Sequence, residues 1–274
     1  MNLSEYAFTI ITLIIGVALD RGIDFFISRK KIRSAGKQWL GEFKYFLSPI
    51  ENQIENINTF LQTHDRTKFN TPVFGILFSL KGENFKSLNK SEFYDYLKRS
   101  KKQIDSPIQF ANKLHIIVDI VAYNYVNIDE AFYTYKNKTS EMFDLFILNL
   151  NNLIRAIAQL ATELEKKSID YNDDPLFSGA LAIQQNGMPK GDMGYIDIYA
   201  VNNDLVIPMI KHLSLYRTDE RTNELRDAAS QCSTYIKKIK LEENYLILKL
   251  EQIVVSLEKS KNKLISLLEK LNPH

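Results

Sequence analysis

Residues 6–33 read YAFTIITLIIGVALDRGIDFFISRKKIR: an uncharged apolar run, then Asp20, Arg21 and Asp24, then five cations by Lys37. The uncharged part, Tyr6 to Leu19, is only about 21 Å long as a helix. A hydrocarbon core of about 30 Å needs about 20 residues, which Leu3 to Ile27 supply if the acids are accommodated. A cleaved signal peptide places cations before its apolar run, whereas here Arg29, Lys30, Lys31, Arg33 and Lys37 all follow it. The pattern predicts an uncleaved transmembrane anchor, residues 1–33, with its basic flank in the cytoplasm and the N-terminus outside. A buried core helix at the start of the domain is the alternative.

On a helical wheel Asn2, Glu5, Thr9, Thr12, Gly16, Asp20 and Asp24 share one arc, and Phe8, Ile11, Ile14, Ile15, Ala18, Phe25 and Phe26 lie opposite. Thr12 and Gly16 form a small-residue pair suited to close helix approach in a bilayer. One span cannot shield a polar stripe from lipid, so the expectation is a homo-oligomer. Thr9, Thr12, Gly16, Asp20 and Asp24 form its pore or oligomer face. The alternative places Asp20 and Asp24 in the headgroup layer, with Arg21 pairing Asp24.

Across all 274 residues, 35 cationic side chains against 33 anionic ones leave a net charge of +2, which by itself points to no nucleic-acid partner. The single Cys232 forms no internal disulfide, in keeping with a reducing compartment. Few Gly and Pro beside 16 Phe and 14 Tyr indicate packed regular elements.

Beyond the basic flank, Trp39, Phe43, Phe46, Ile50, Ile54, Ile57 and Leu61 recur at helical steps, with a bend or break expected at Pro49. Val73 to Leu80 reads as a short buried strand or helix. Ser91 caps a helix, and Asp105-Ser106-Pro107 starts another that buries Phe110, Leu114, Ile117, Val118 and Val121 to about Tyr135. After KNKTS a further helix starts at Ser140 and carries Phe146, Leu150, Leu153, Ile157, Leu160 and Leu164, giving an antiparallel pair. Residues 168–203 form an irregular insertion, with a strand or hairpin at YIDIYAV and a mobile loop around NGMPKGDMG. Asp170, Asp173 and Asp174 lack the spacing of a calcium loop and read as turn and cap residues. From 219 to 271 one long helix repeats Ile236, Ile239, Leu246, Leu250, Ile253, Leu257, Leu264, Leu267 and Leu271 in heptads, with Glu243 and Ser260 as polar substitutes. It serves equally as an intermolecular coiled coil or a core helix. The fold class is therefore mainly α: one N-terminal transmembrane helix plus a cytosolic helical bundle, residues 34–274, with a small irregular or β insertion.

No nucleophile elbow, kinase signature or zinc pattern stands out, so neither an enzyme, a metal nor a cofactor is expected. His115, set among Leu114, Ile116 and Ile117, reads as a hydrogen-bonded core histidine. One constellation suits single-stranded nucleic acid or a nucleotide, rings stacking on bases and cations meeting phosphates. It comprises Tyr96, Lys98, Arg99, Lys101 and Lys102, then Lys136 and Lys138, then Lys237, Lys238 and Lys240. Solvated helix surfaces are the alternative.

The layout, a short span joined to a cytosolic helical domain, resembles the membrane effectors of bacterial anti-phage systems, Hailong-type effectors among them. That likeness implies assembly in the inner membrane and its breach, under control of a nucleotide, an oligonucleotide or a partner protein encoded nearby. The other expectation is a membrane-tethered helical scaffold that recruits a protein partner without any pore.

Overall fold

The computed structural model describes residues 3–70, 72–100, 104–188 and 196–271; the side chains of residues 3–11 and of Ser100 lie outside that description. Eight α-helices follow in order: α1 Leu3–Thr63, α2 Glu83–Lys86, α3 Lys90–Ser100, α4 Pro107–Lys166, α5 Pro175–Gly187, α6 Ile198–Val201, α7 Ile207–Leu213 and α8 Asn223–Leu271. Short 3-10 turns and one π-helical turn, Asn202–Val206, connect them. The chain divides into two compact units: Met1–Asn56, Gly75–Asn127 and Ile253–His274 form the first, Ile57–Phe74 and Ile128–Gln252 the second. Helices α1, α4 and α8 contribute residues to both.

The first unit is centred on Trp39, fully buried on α1. Its ring lies 5.6 Å from Phe43, 5.8 Å from Phe85 of α2 and 5.2 Å from Phe93 of α3. Its indole N–H donates to the Asn89 carbonyl at 3.1 Å, so the polar handle of a buried Trp is satisfied. Asn89 also caps α3, its side chain accepting from Ser91 and Glu92; the cap is thus Asn89 rather than Ser91. Gly36 of α1 permits the approach of α3, because a Cβ there would land on the Tyr96 ring. Helix α4 joins α8 through Asn124 Nδ2, which donates to Ser256 Oγ at 2.8 Å.

The second unit buries Phe146, Leu150, Leu153, Ile157, Leu160 and Leu164 of α4 against α5–α7 and the first half of α8. Cys232 is buried there, its Sγ lying 3.7 Å from the Phe146 carbonyl. Asp174 caps α5 by accepting from the Phe177 N–H at 2.9 Å, with Pro175 in the first helical turn. The same carboxylate meets Arg221 Nη1 at 2.6 Å, and Arg221 Nη2 meets Asp219 at 2.6 Å.

Several expectations change. Among the described residues no helix is long and apolar enough to cross a membrane. The stretch from Thr12 to Lys31, about the length a span needs, takes in Asp20, Arg21, Asp24, Arg29, Lys30 and Lys31. The transmembrane segment is withdrawn, and the single-pass localisation has no helix to carry it. Instead α1 continues unbroken through Pro49, which is buried in the helix interior, to Thr63. The two helices expected on either side of KNKTS are one, α4. Thr139 Oγ1 donates to the Tyr135 carbonyl at 2.7 Å, and Lys138 pairs with Glu242, so the polar pentapeptide is satisfied as helix.

Among the described residues there is no strand, and the β insertion is withdrawn too. Of YIDIYAV, Ile198–Val201 form α6, capped by the Asp197 side chain, which accepts from the Tyr199 N–H at 3.0 Å. N-capping then wins over a short alternation. Of the mobile loop expected around NGMPKGDMG, Asn186 and Gly187 end α5 and Met188 caps it, while residues 189–194 lie outside the described residues. The run from Val73 to Leu80 is neither strand nor α-helix: Gln53, fully buried, donates to the Gly75 carbonyl at 3.2 Å and accepts from the Leu77 N–H at 2.8 Å. That side chain supplies the pairing a neighbouring strand would have given, and Phe78–Lys81 closes as a 3-10 turn.

Gly36→Ala is expected to destabilise the protein by about 1–3 kcal/mol through overpacking against Tyr96. In a Tyr96→Ala background the same change should be neutral, or stabilise by up to about 1 kcal/mol from helix propensity. Urea denaturation of the four proteins checks this, and an equal cost in both backgrounds would exclude the contact as the cause.

Candidate functional site

Two features of the structure stand apart from ordinary packing. The first is the N-terminal part of α1. From Thr12 to Lys31 the side chains are exposed, with only Gly22 half-buried, and Ile32 is the first buried residue. Exposed large apolar side chains run from Leu13 to Ile27, with Leu13 and Phe26 at 68% and 71%. Patches of this kind on a protein surface mark interaction sites. Ile14, Ile15, Ala18, Leu19, Gly22, Phe25 and Phe26 fall on one broad face at about 100° per residue. Ile15, Leu19, Gly22 and Phe26 follow steps of four, three and four, the spacing of a coiled-coil seam. Nothing lies within 4 Å of a Cβ built at Gly22 or Gly16.

The second feature is a buried polar centre in the second unit. Glu243 takes a core position in the heptads of α8, where its carboxylate is 6% exposed. His64 Nε2 lies 2.6 Å from Glu243 Oε1, and the Tyr199 hydroxyl donates to Oε2 at 3.3 Å. Lys240 Nζ sits 4.6 Å from the Tyr199 ring centroid, a cation–π contact. Burying a carboxylate costs several kcal/mol and is tolerated only with good partners, which His64 and Tyr199 provide. The heptad pattern exposes Glu243 as an oddity in the sequence; nothing there marks His64 as its partner. Because both side chains are closed off from solvent, the centre ties residue 64 and α6 to α8 and presents no group to a substrate.

The sequence-predicted residues are dispersed. Thr12, Gly16, Asp20 and Asp24 lie on exposed α1, while the side chain of Thr9 and all of Lys101 and Lys102 lie outside the described residues. Tyr96 is half-buried against Gly36, so its ring packs rather than stacks on a base. Lys98 and Arg99 occupy the last turn of α3, where cations complement the helix dipole. The remaining lysines belong to the second unit. Lys138 meets Glu242 at 2.9 Å, Lys238 lies 5.3 Å from the Tyr235 ring and Lys240 covers Tyr199. Lys136 and Lys237 are exposed. The set thus splits between two units, and three of its five lysines in the second are already engaged.

No family model, curated protein or solved structure matches this chain.

Burial pushes the Cys232 thiol up to about 12. Burial, with the Glu243 charge beside it, holds the Tyr135 and Tyr199 phenols above their ordinary range. Unfolded, the same groups ionise near about 8.5 and about 10. Above about pH 9 the unfolded chain therefore sheds protons that the folded chain keeps, and stability falls as pH rises. The urea midpoint is expected to hold between pH 7 and 8 and to decline from about pH 9 to 11. Cys232→Ala should remove the part that begins nearest pH 9, and a flat profile to pH 11 would contradict this. Glu243→Ala strands the buried His64 and Tyr199 groups and is expected to cost about 3–5 kcal/mol. Tyr199→Phe should cost only about 1 kcal/mol. Equal losses in the two variants, measured by urea denaturation, would refute Glu243 as the hub.

Proposed function

We propose that this protein is a self-assembling helical scaffold whose N-terminal helix segment, Thr12 to Lys31, joins copies of the chain. The observation that carries this reading is the exposed apolar face of α1 from Leu13 to Ile27. Covering the large side chains of that face, Ile14, Ile15, Leu19, Phe25 and Phe26, each half exposed or more, recovers on the order of 5 kcal/mol per copy. Association itself costs about 4–15 kcal/mol, so the copies must cover most of that face rather than a corner of it. Ile15, Leu19, Gly22 and Phe26 form the seam, with Ile14, Ala18 and Phe25 widening it beyond a two-stranded contact. Glycine at position 22 lets backbones approach, and Phe25 and Phe26 fill the space beside it.

In this arrangement Asp20, Arg21 and Asp24 lie to the outside, in water. The polar stripe thus faces away from the partner helices rather than towards a shared lumen. The pore mouth expected from the sequence required a bilayer span and goes with it. What the assembled copies hold in place is then the two helical units.

Mass photometry of the full chain is expected to show a discrete oligomer that Leu19→Glu with Phe26→Glu converts to monomer. Helical circular dichroism should stay unchanged in that variant. Asp20→Asn with Asp24→Asn should leave the oligomer intact. A monomeric wild type overturns the proposal, as does flotation of the protein with phospholipid vesicles in place of self-association.

A further inference from the structure

Helix α8 turns one heptad face inward and carries a second, shorter one outward. Ile239, Leu246 and Leu250 are buried, while Leu241, Tyr245 and Leu248 are 66%, 62% and 57% exposed. At about 100° per residue Leu241, Tyr245, Leu248 and Gln252 lie within an arc of about 60°, on the side away from Leu250. Their steps of four, three and four are the spacing of a coiled-coil seam. All four belong to the second unit, and Gln252 is exposed as well. Neighbouring large apolar side chains in water mark an interaction surface.

The residues beside this seam are polar or charged, and their signs are ordered. Glu242 and Lys249 stand one heptad apart on one flank, Asn244 and Glu251 on the other. Glu242 meets Lys138 of α4 through both carboxylate oxygens, at 2.9 and 3.1 Å, yet its side chain remains 17% exposed. A carboxylate has about four lone-pair sites, so it can accept a second ammonium. Lys249 is half-buried and makes no ion pair among the described residues.

A second copy of α8 running antiparallel satisfies this pattern. With a two-fold axis between Tyr245 and Leu248, Tyr245 of each copy meets Leu248 of the other, and Leu241 meets Gln252. The same axis sets Glu242 of each copy against Lys249 of the other, and the Asn244 amide against Glu251. Opposite charges thus meet twice, as an isologous contact requires, and flank the seam as they do in coiled coils. Parallel pairing in register leaves Lys249 beside Asn244 and Glu251 beside Ser256, matching only Lys237 with Glu242.

We infer that α8 pairs antiparallel with α8 of a second copy through Leu241, Tyr245 and Leu248, its direction fixed by Glu242 and Lys249. The seam is about 17 Å long. That is well short of a standard interface, so the contact is weak and forms as the protein is concentrated. It lies on a different helix from the α1 seam and does not depend on it. Where both form, the α8 contact links one oligomer to the next.

Sedimentation velocity of the Leu19→Glu, Phe26→Glu variant, which lacks the α1 seam, tests this. Between dilute solution and about 0.1 mM it is expected to pass from monomer to dimer. Adding Leu248→Glu, at an exposed position, should weaken the dimer about tenfold or more while thermal unfolding is unchanged. Direction is read by oxidising a concentrated equimolar mixture of Tyr245→Cys and Leu248→Cys chains in that background, where Cys232 is buried and stays out of the reaction. Mixed disulfide dimers are expected in excess over either homodimer. A monomer throughout, a dimer indifferent to Leu248→Glu, or mainly homodimeric cross-links would overturn this pairing. A monomer here leaves the α1 oligomer standing, and a monomeric wild type at the dilution of mass photometry leaves the α8 contact standing.

Discussion

Three helices of 61, 60 and 49 residues carry apolar stripes that must leave water, and the remaining elements are placed by that requirement. Isolated helices gain little from propensity alone; an amphipathic face supplies their stability by packing. In the first unit, α2 and α3 bring Phe85 and Phe93 against Trp39. In the second, α5, α6, the π-helical turn and α7 bring Leu176, Phe177, Tyr199, Val206 and Met209 against the stripe of α4. Three of the short helices are held at their N-termini by side chains: Asn89 for α3, Asp174 for α5 and Asp197 for α6.

Polar residues inside these stripes do the work of register. Gln53, Asn124 and Glu243 each occupy a buried helical position, and each finds a partner far along the chain. An apolar residue at such a site tolerates sliding by a turn, whereas a buried amide or carboxylate does not, because an unmet polar atom in a low-dielectric core is costly. Gln53 fixes a loop, Asn124 fixes α4 on α8, and Glu243 fixes His64 and Tyr199. His115 departs from this pattern, since its Nε2 has no partner among the described residues. The N-terminal part of α1 departs from it in the opposite sense, with apolar side chains that nothing among the described residues covers.

Much of the helical core was legible in the residues. Trp39, Phe43, Phe46, Ile50 and Ile57 are buried as their spacing implies, and so are the heptad positions of α8 from Ile236 to Leu271. Burial of that whole series, Glu243 and Ser260 included, makes that face of α8 core rather than a seam between chains. The start of α4 at Pro107 followed from a proline suited to a first helical turn. The turn-and-cap role of Asp174 followed from the missing calcium spacing.

What the sequence determined by itself was the helical character of α1 from Trp39 onward, of α4 and of α8, with the buried face of each, because both follow from spacing along a single chain; α5, inside the stretch expected to be irregular, was not legible there. Tertiary structure alone decided where helices end or continue, since KNKTS and Pro49 lie within helices where satisfied side chains and packing outweigh local breaking signals. It also decided that YIDIYAV caps a helix and that Gln53 takes the place of a strand. His64 meeting Glu243, and His115 meeting nothing at Nε2, likewise depend on residues brought together from distant positions. Periodicity reports which side faces inward, but not what waits there.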